Sequence, residues 1–105
     1  MVYLLNSAII VDDGTYTYKT VKAGDVKAFI GDQDFISYIG YPDTAKFLSS
    51  IIGRHVPTNR GMISMNVGDV AVVCKLKYRV QDPKTKGAFT PGPDDYTFGI
   101  LKRIG

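Results

Sequence analysis

The chain has 105 residues, 45% of them hydrophobic and 22% charged, with twelve aromatic residues and a net charge of +3. This composition excludes a disordered chain, and the length holds one domain: two would leave about fifty residues each, too few for a self-sufficient core. A single cysteine, Cys74, and a single histidine, His55, exclude an internal disulfide, a multi-cysteine zinc site and a pair of imidazole ligands, so neither metal nor cofactor is expected.

The charge is unevenly spread. Residues 54–86 hold seven basic side chains against Asp69 and Asp82, whereas residues 1–53 hold four basic against six acidic. A concentrated positive field in a small domain suits an anionic partner such as a phosphate-bearing ligand; the plain alternative is a solvated face. No apolar run approaches the ~18 residues of a membrane span. The opening MVYLLNSAIIV lacks a basic n-region and a small-residue cleavage site, so it reads as a strand and not a signal peptide. A soluble cytoplasmic domain with no membrane partner is the expectation.

Residues 2–11 form a nearly continuous apolar run closed by Asp12-Asp13-Gly14, the pattern of a strand buried on both faces. Residues 15–20, TYTYKT, alternate and supply a second strand. Residues 23–30 fit one short helix, with Val26, Phe29 and Ile30 on one side. The next helix, 42–52, is better marked. Pro42 suits its first position, Asp43 complements the dipole, Leu48, Ile51 and Ile52 form the apolar stripe, and Gly53 supplies the stop. Residues 60–65 read as a strand ending at the turn 66–69.

Residues 70–80 carry the clearest period. Val70, Val72, Cys74, Leu76, Tyr78 and Val80 alternate with Ala71, Val73, Lys75, Lys77 and Arg79, which puts the three basic residues on one face. Cys74 then enters the core as a small hydrophobe. Residues 81–93 contain three prolines and two glycines and read as a long surface loop, before a last strand at 95–103. The sum is an α/β fold, a single small domain with a mixed sheet of about five strands and two helices.

Three features carry chemistry. Asn6 stands inside an apolar strand, where an unpaired amide is costly, so either a local backbone group or a ligand must bond it. The row Lys75, Lys77, Arg79 repeats every 6.5–7 Å or so, near the spacing of successive phosphates; the other reading is an edge strand guarded by its charges. The start of the 42–52 helix could bring an anion to the Thr44 hydroxyl, although Pro42 and Asp43 make it less welcoming. No phosphate-loop or dinucleotide fingerprint is present, and the paired aspartates fall in turns. His55 follows the helix end, where a protonated imidazole meets the dipole favourably.

The blocks V-Y-L-L-N-S-A-I, I-G-Y-P-D-T-A-K-F-L-S-S-I-I-G, V-P-T-N-R and L-K-Y-R stand in fixed order from residue 2 to about residue 80. Together they resemble the viral ring nucleases, small proteins of archaeal viruses and prophages that act against type III CRISPR defence by destroying cyclic tetra-adenylate. The resemblance implies a mixed sheet with helices, a homodimer, and one ligand cleft across the subunits. It implies a cyclic oligonucleotide or related adenine nucleotide as partner in the host cytoplasm, with no DNA expected. Asn6 takes the place of the ligand-contacting asparagine, Arg60 that of a nucleotide-binding arginine, Lys75 that of a polar contact, and Arg79 that of the arginine stabilising the reacting phosphate. Ser7, Thr44 and Lys77 join them as candidate ligand contacts. The tail after Arg79 departs, since the family continues with a glycine-containing turn and a helix.

The decisive departure is Tyr41. The family places its catalytic histidine in an I-G-H block, and this chain has I-G-Y. In those enzymes a 2′-hydroxyl attacks the neighbouring phosphorus while the histidine protonates the leaving 5′-oxygen. A phenol, with pKa ≈ 10, suits that task poorly, and losing a positioned acid forfeits about 10²–10⁴ in rate. His55 lies roughly 15–20 Å further along the helix, too far to substitute within one chain. Three readings follow: a counter-defence protein that sequesters the messenger, a slow metal-independent ring nuclease working through Tyr41 and Arg79, or a non-catalytic protein-interaction module.

Overall fold

The computed structural model describes residues 1–7, 12–76 and 95–105. Its order of elements is β1 (Val2–Leu5), β2 (Tyr16–Val21), α1 (Ala23–Ile30), β3 (Phe35–Tyr38), α2 (Pro42–Ile52), β4 (Val70–Leu76) and β5 (Tyr96–Arg103). They build one mixed sheet in the order β2-β5-β4-β1-β3. β1 runs parallel to both β3 and β4, and β5 runs antiparallel to β4 and β2.

β4 is central because both of its faces are apolar. Ala71, Val72, Val73 and Cys74 are consecutive and fully buried. Val72 and Cys74 meet Leu4, Phe98 and the helices, where Val26 and Ile30 of α1 join Leu48 and Ile52 of α2. Ala71 and Val73 face the other way, against Leu5, Leu101, Ile63 and Met65. At roughly 1.5–3 kcal/mol for each fully buried aliphatic side chain, this double-sided burial makes β4 the strand least able to leave the sheet.

The helix ends are as the residues dictate. The Lys22 N–H donates to the Asp25 carboxylate at 3.0 Å, serving the open start of α1. Gly53 takes φ 70° and its N–H donates to Ser49 O at 2.9 Å, a left-handed stop open to glycine at little cost.

Three strand assignments differ from the sequence expectation. The strand expected from residue 2 to residue 11 ends at Leu5, so Asn6 and Ser7 stand in a bend just past it and not inside it. Residues 60–65 form no strand; Ile63 and Met65 plug the open face of the sheet while the backbone crosses it outside the ladder. Ile63 and Met65 are thus buried on one side only, which a coil lying on a sheet produces as well as a strand does. The fifth strand is β3, a four-residue segment with Ser37 buried at its centre, too short and too mixed to show a period. β4 lies between β5 and β1 and is not an edge strand, although Lys75 stands two residues past its last pairing with β1. The continuation to residue 80, the 81–93 loop and residues 8–11 lie outside the described residues. Among the described residues no helix is long and apolar enough to cross a membrane.

Candidate functional site

The outer edge of β3 shapes the site. Val56-Pro57-Thr58-Asn59-Arg60 runs along that edge and closes it bond by bond. Ser37 Oγ donates to Pro57 O at 2.6 Å, and Asn59 Nδ2 donates to Ser37 O at 3.0 Å. Thr58 forms a parallel bridge with Ile39, and the Asn59 N–H donates to Ile39 O at 2.9 Å. Arg60 then falls beside Gly40, where its Nε donates to Gly40 O at 3.1 Å. The block's register on β3 is what brings Arg60 to the carboxyl end of the strand.

Asn6 reaches the same residue from the other side. It follows β1, which pairs with β3 in parallel register, and its Oδ1 accepts the Gly40 N–H at 2.9 Å. The local backbone partner weighed for the Asn6 amide therefore exists, and it uses only the carbonyl. The Nδ2 group has no hydrogen-bond partner among the described residues.

Around this junction lies a hollow of about 210 Å³ at the carboxyl ends of β1 and β3. Open α/β sheets place ligands outside the carboxyl ends of their parallel strands. Its polar side chains are Asn6, Ser7 and Arg60, and its walls are Leu5, Tyr38, Tyr41, Met62 and Ile63. Among the described residues, no carboxylate lines it. Tyr41 is the residue before α2, in extended conformation, and 56% exposed. The Arg60 guanidinium lies over its ring at 5.5 Å from the centroid, within cation–π range. Met62, which also lines the hollow, is 70% exposed. Such a cavity offers flat apolar surface beside cationic and amide donors, which is what a nucleobase joined to a phosphate requires.

The sequence-derived candidates divide accordingly. Asn6, Ser7, Tyr41 and Arg60 share the hollow. Lys75 is exposed on β4, and the Leu5↔Val73 pairing places it beyond the end of β1, on the side of the sheet that holds Ala71 and Val73. Lys77 and Arg79 lie outside the described residues. Thr44 stands apart: it is buried, and its side chain is hydrogen-bonded to Tyr96. Burial pushes the Tyr96 phenol up, while the Thr44 bond pulls it down. Thr44 thus belongs to the seam between α2 and β5, where Phe47 stacks on Tyr96 at 4.4 Å. Burial also pushes the Cys74 thiol up to about 12, as its parity in the strand led one to expect of an unreactive core cysteine. His55 is exposed beyond Gly53. Among the described residues, no cluster of His, Cys and acidic side chains could hold a metal ion.

Sequence reasoning named none of the other residues lining the hollow, Leu5, Tyr38, Gly40, Gly61, Met62 and Ile63, as members of the site. Gly40 stands in the I-G-Y block but has no side chain to mark it, and only the proximity of β1, β3 and the 60–63 segment reveals the six. Gly61 packs so closely on Tyr38 that a Cβ there would stand 3.1 Å from its ring.

Comparison with known proteins gives a consistent picture. The family described as STIV B116-like matches residues 2–88. "Uncharacterized protein ORF117" of Acidianus two-tailed virus is 33% identical over 87 residues, covering 78% of this chain and 74% of that protein. "Uncharacterized protein 26" of a Sulfolobus islandicus filamentous virus is 32% identical over 88 residues, covering 80% and 75%. Among solved structures, B116 of Sulfolobus turreted icosahedral virus superposes with a TM-score of 0.70 at 18% identity, over 96% of this chain and 97% of that one, a likeness of fold.

Proposed function

The chain belongs to the STIV B116-like family of small archaeal-virus proteins, and from that premise we propose that it captures a cyclic oligoadenylate or related adenine nucleotide messenger with little or no hydrolysis. Its place of action would be the cytoplasm of the infected host. The observation that carries this reading is the hollow in which Asn6 and Arg60 flank Gly40 beside the ring of Tyr41, with no carboxylate among its described lining residues. The resemblance to ring nucleases supplies the class of ligand.

In this reading the Arg60 guanidinium and the Asn6 amide hold phosphate oxygens, with Lys75 and, from the resemblance, Lys77 and Arg79 extending the positive field. Tyr41 stacks on a base, a contact contributing about 1–3 kcal/mol. The hollow is smaller than the roughly 300–1,000 Å³ of drug-sized ligand sites, so one chain would take one nucleotide unit. Two chains, joined as a homodimer, would enclose one ring.

Cleavage needs a proton donor for the leaving 5′-oxygen, and Tyr41 occupies the position the resemblance assigns to that donor. A phenol gives up its proton far less readily than an imidazolium, so binding would outlast chemistry. A slower ring nuclease is the second reading, favoured by the fixed placement of Tyr41 beside Arg60, since alignment alone lowers a barrier.

Native mass spectrometry with cyclic tri-, tetra- and hexa-adenylate tests the proposal. The expected species is two chains with one ring of unaltered mass. Bare protein with every ring, or protein accompanied by linear fragments, would contradict capture.

A further inference from the structure

Asn6 and Arg60 are the side chains an anion would need, yet each is already bonded to protein. Their bonds go to the same residue, and at Gly40 the backbone needs them. The edge pairing along β3 ends at Ile39, whose carbonyl takes the Asn59 N–H. Gly40, one residue on, has its N–H served by Asn6 Oδ1 and its carbonyl by Arg60 Nε. A Cβ on Gly40 would stand 3.2 Å from Arg60 Cγ and 3.7 Å from Asn6 Oδ1, so the three residues are fitted to one another.

Gly40 immediately precedes Tyr41, the last residue before α2. Its N–H belongs to the Ile39–Gly40 peptide and its carbonyl to the Gly40–Tyr41 peptide. Holding both fixes the direction in which the chain enters the helix, and with it the stand of the Tyr41 ring beneath Arg60.

We propose that Asn6 and Arg60 are positioning residues for Tyr41, each with its atoms divided between two tasks. Asn6 Oδ1 and Arg60 Nε clamp Gly40; Asn6 Nδ2 and the Arg60 Nη groups, which bond none of the described residues, are the donors left for the anion. An asparagine is needed at position 6 because an acceptor and a donor must leave the same short side chain. An arginine is needed at position 60 because only its fork bonds a carbonyl through Nε while keeping two further nitrogens and a flat face for Tyr41. The donor half of this proposal rests on the messenger-binding reading; the positioning half does not.

The two tasks separate by substitution. Asn6→Asp keeps the acceptor and loses the donor; Asn6→Ala loses both. Arg60→Gln keeps a donor for Gly40 O and loses the charge; Arg60→Ala loses both. Amide NMR spectra read the clamp at Gly40 and Tyr41, and titration with cyclic tetra-adenylate reads the donors. Asn6→Asp and Arg60→Gln should leave the two amide resonances near their wild-type positions while weakening binding by about 10- to 100-fold. Asn6→Ala and Arg60→Ala should move both resonances, and Asn6→Ala should lower the melting midpoint by about 4–8 °C. Unmoved resonances in both alanine variants would overturn the positioning role, and either one suffices if the other fails to fold. Undiminished affinity in Asn6→Asp would overturn the donor role. If the wild-type protein binds no cyclic oligoadenylate, the messenger reading and the donor half fall together, and the spectra alone still decide the clamp.

Discussion

The guanidinium of Arg60 lies over the ring of Tyr41, 5.5 Å from its centroid, while Arg60 Nε bonds the carbonyl of the residue before that tyrosine. Cation, aromatic ring and helix start are thereby one unit, fixed before any ligand arrives. A preorganised site of this kind spends less of its binding energy on ordering side chains.

If Tyr41 stands where the ring nucleases hold their general acid, Tyr41→His should install one. Turnover of cyclic tetra-adenylate should rise by about 10²–10⁴-fold, with linear products seen by chromatography. Tyr41→Phe should bind with nearly wild-type affinity, because stacking needs the ring and not the hydroxyl. A Tyr41→His variant that binds the ring and leaves it whole would show that the acid is not what is missing.

Gly40→Ala separates stability from binding. Gly40 is not among the glycines with positive φ, so the change should recover about 0.4–1 kcal/mol of unfolded-state entropy. The new methyl, 3.2 Å from Arg60 Cγ, should displace Arg60 and lose a bond worth about 0.5–1.5 kcal/mol. The two nearly cancel. The melting midpoint should therefore stay within a few degrees of wild type, while affinity for the nucleotide falls about tenfold in a titration.

Thr44→Val tests where Thr44 belongs. Loss of its bond to Tyr96 should cost about 1 kcal/mol in chemical denaturation, with nucleotide affinity unchanged. A fall in affinity with no loss of stability would return Thr44 to the ligand set.

Cys74 gives a prediction in alkali. Its thiol is held at about 12 in the fold, against about 8.5 in an unfolded chain, so the folded state keeps its proton after the unfolded state has lost it. That stabilisation is fully present below about pH 8.5 and is lost as pH rises from there towards 12, at up to about 1.4 kcal/mol per pH unit. Denaturation curves at stepped pH should show the decline, and Cys74→Ala should flatten it. At pH 8 the native thiol should resist a disulfide reagent that labels the unfolded chain at once.

Much of the fold was legible because its signals are local. Pro42, the Leu48–Ile52 stripe and Gly53 bound α2 without help from the rest of the chain, and the period of 70–76 announced β4. β3 was not legible: four residues with a buried serine at the centre owe their strand to β1 on one side and to Pro57–Asn59 on the other. The strand expected at 60–65 is absent, because Ile63 and Met65 are buried by a face they cross and not by a ladder they join. Asn6 announced itself as a polar residue in an apolar run, but its partner, Gly40, has no side chain to advertise the contact. Thr44 was drawn towards the site by its place at a helix start, whereas its rotation about α2 turns it into the core.

The central claim is capture without cleavage, and one experiment addresses it directly. Purified protein is incubated with cyclic oligoadenylates and related adenine messengers, and each sample is divided between thermal melting and chromatography. At a ligand concentration 100 times Kd, binding should raise stability by about 2.7 kcal/mol, a clear rise in Tm for a domain of this size. The account predicts that rise with one of the rings, and the same ring recovered intact after the protein is unfolded. Linear products in the recovered ligand, or no rise with any messenger, would contradict it.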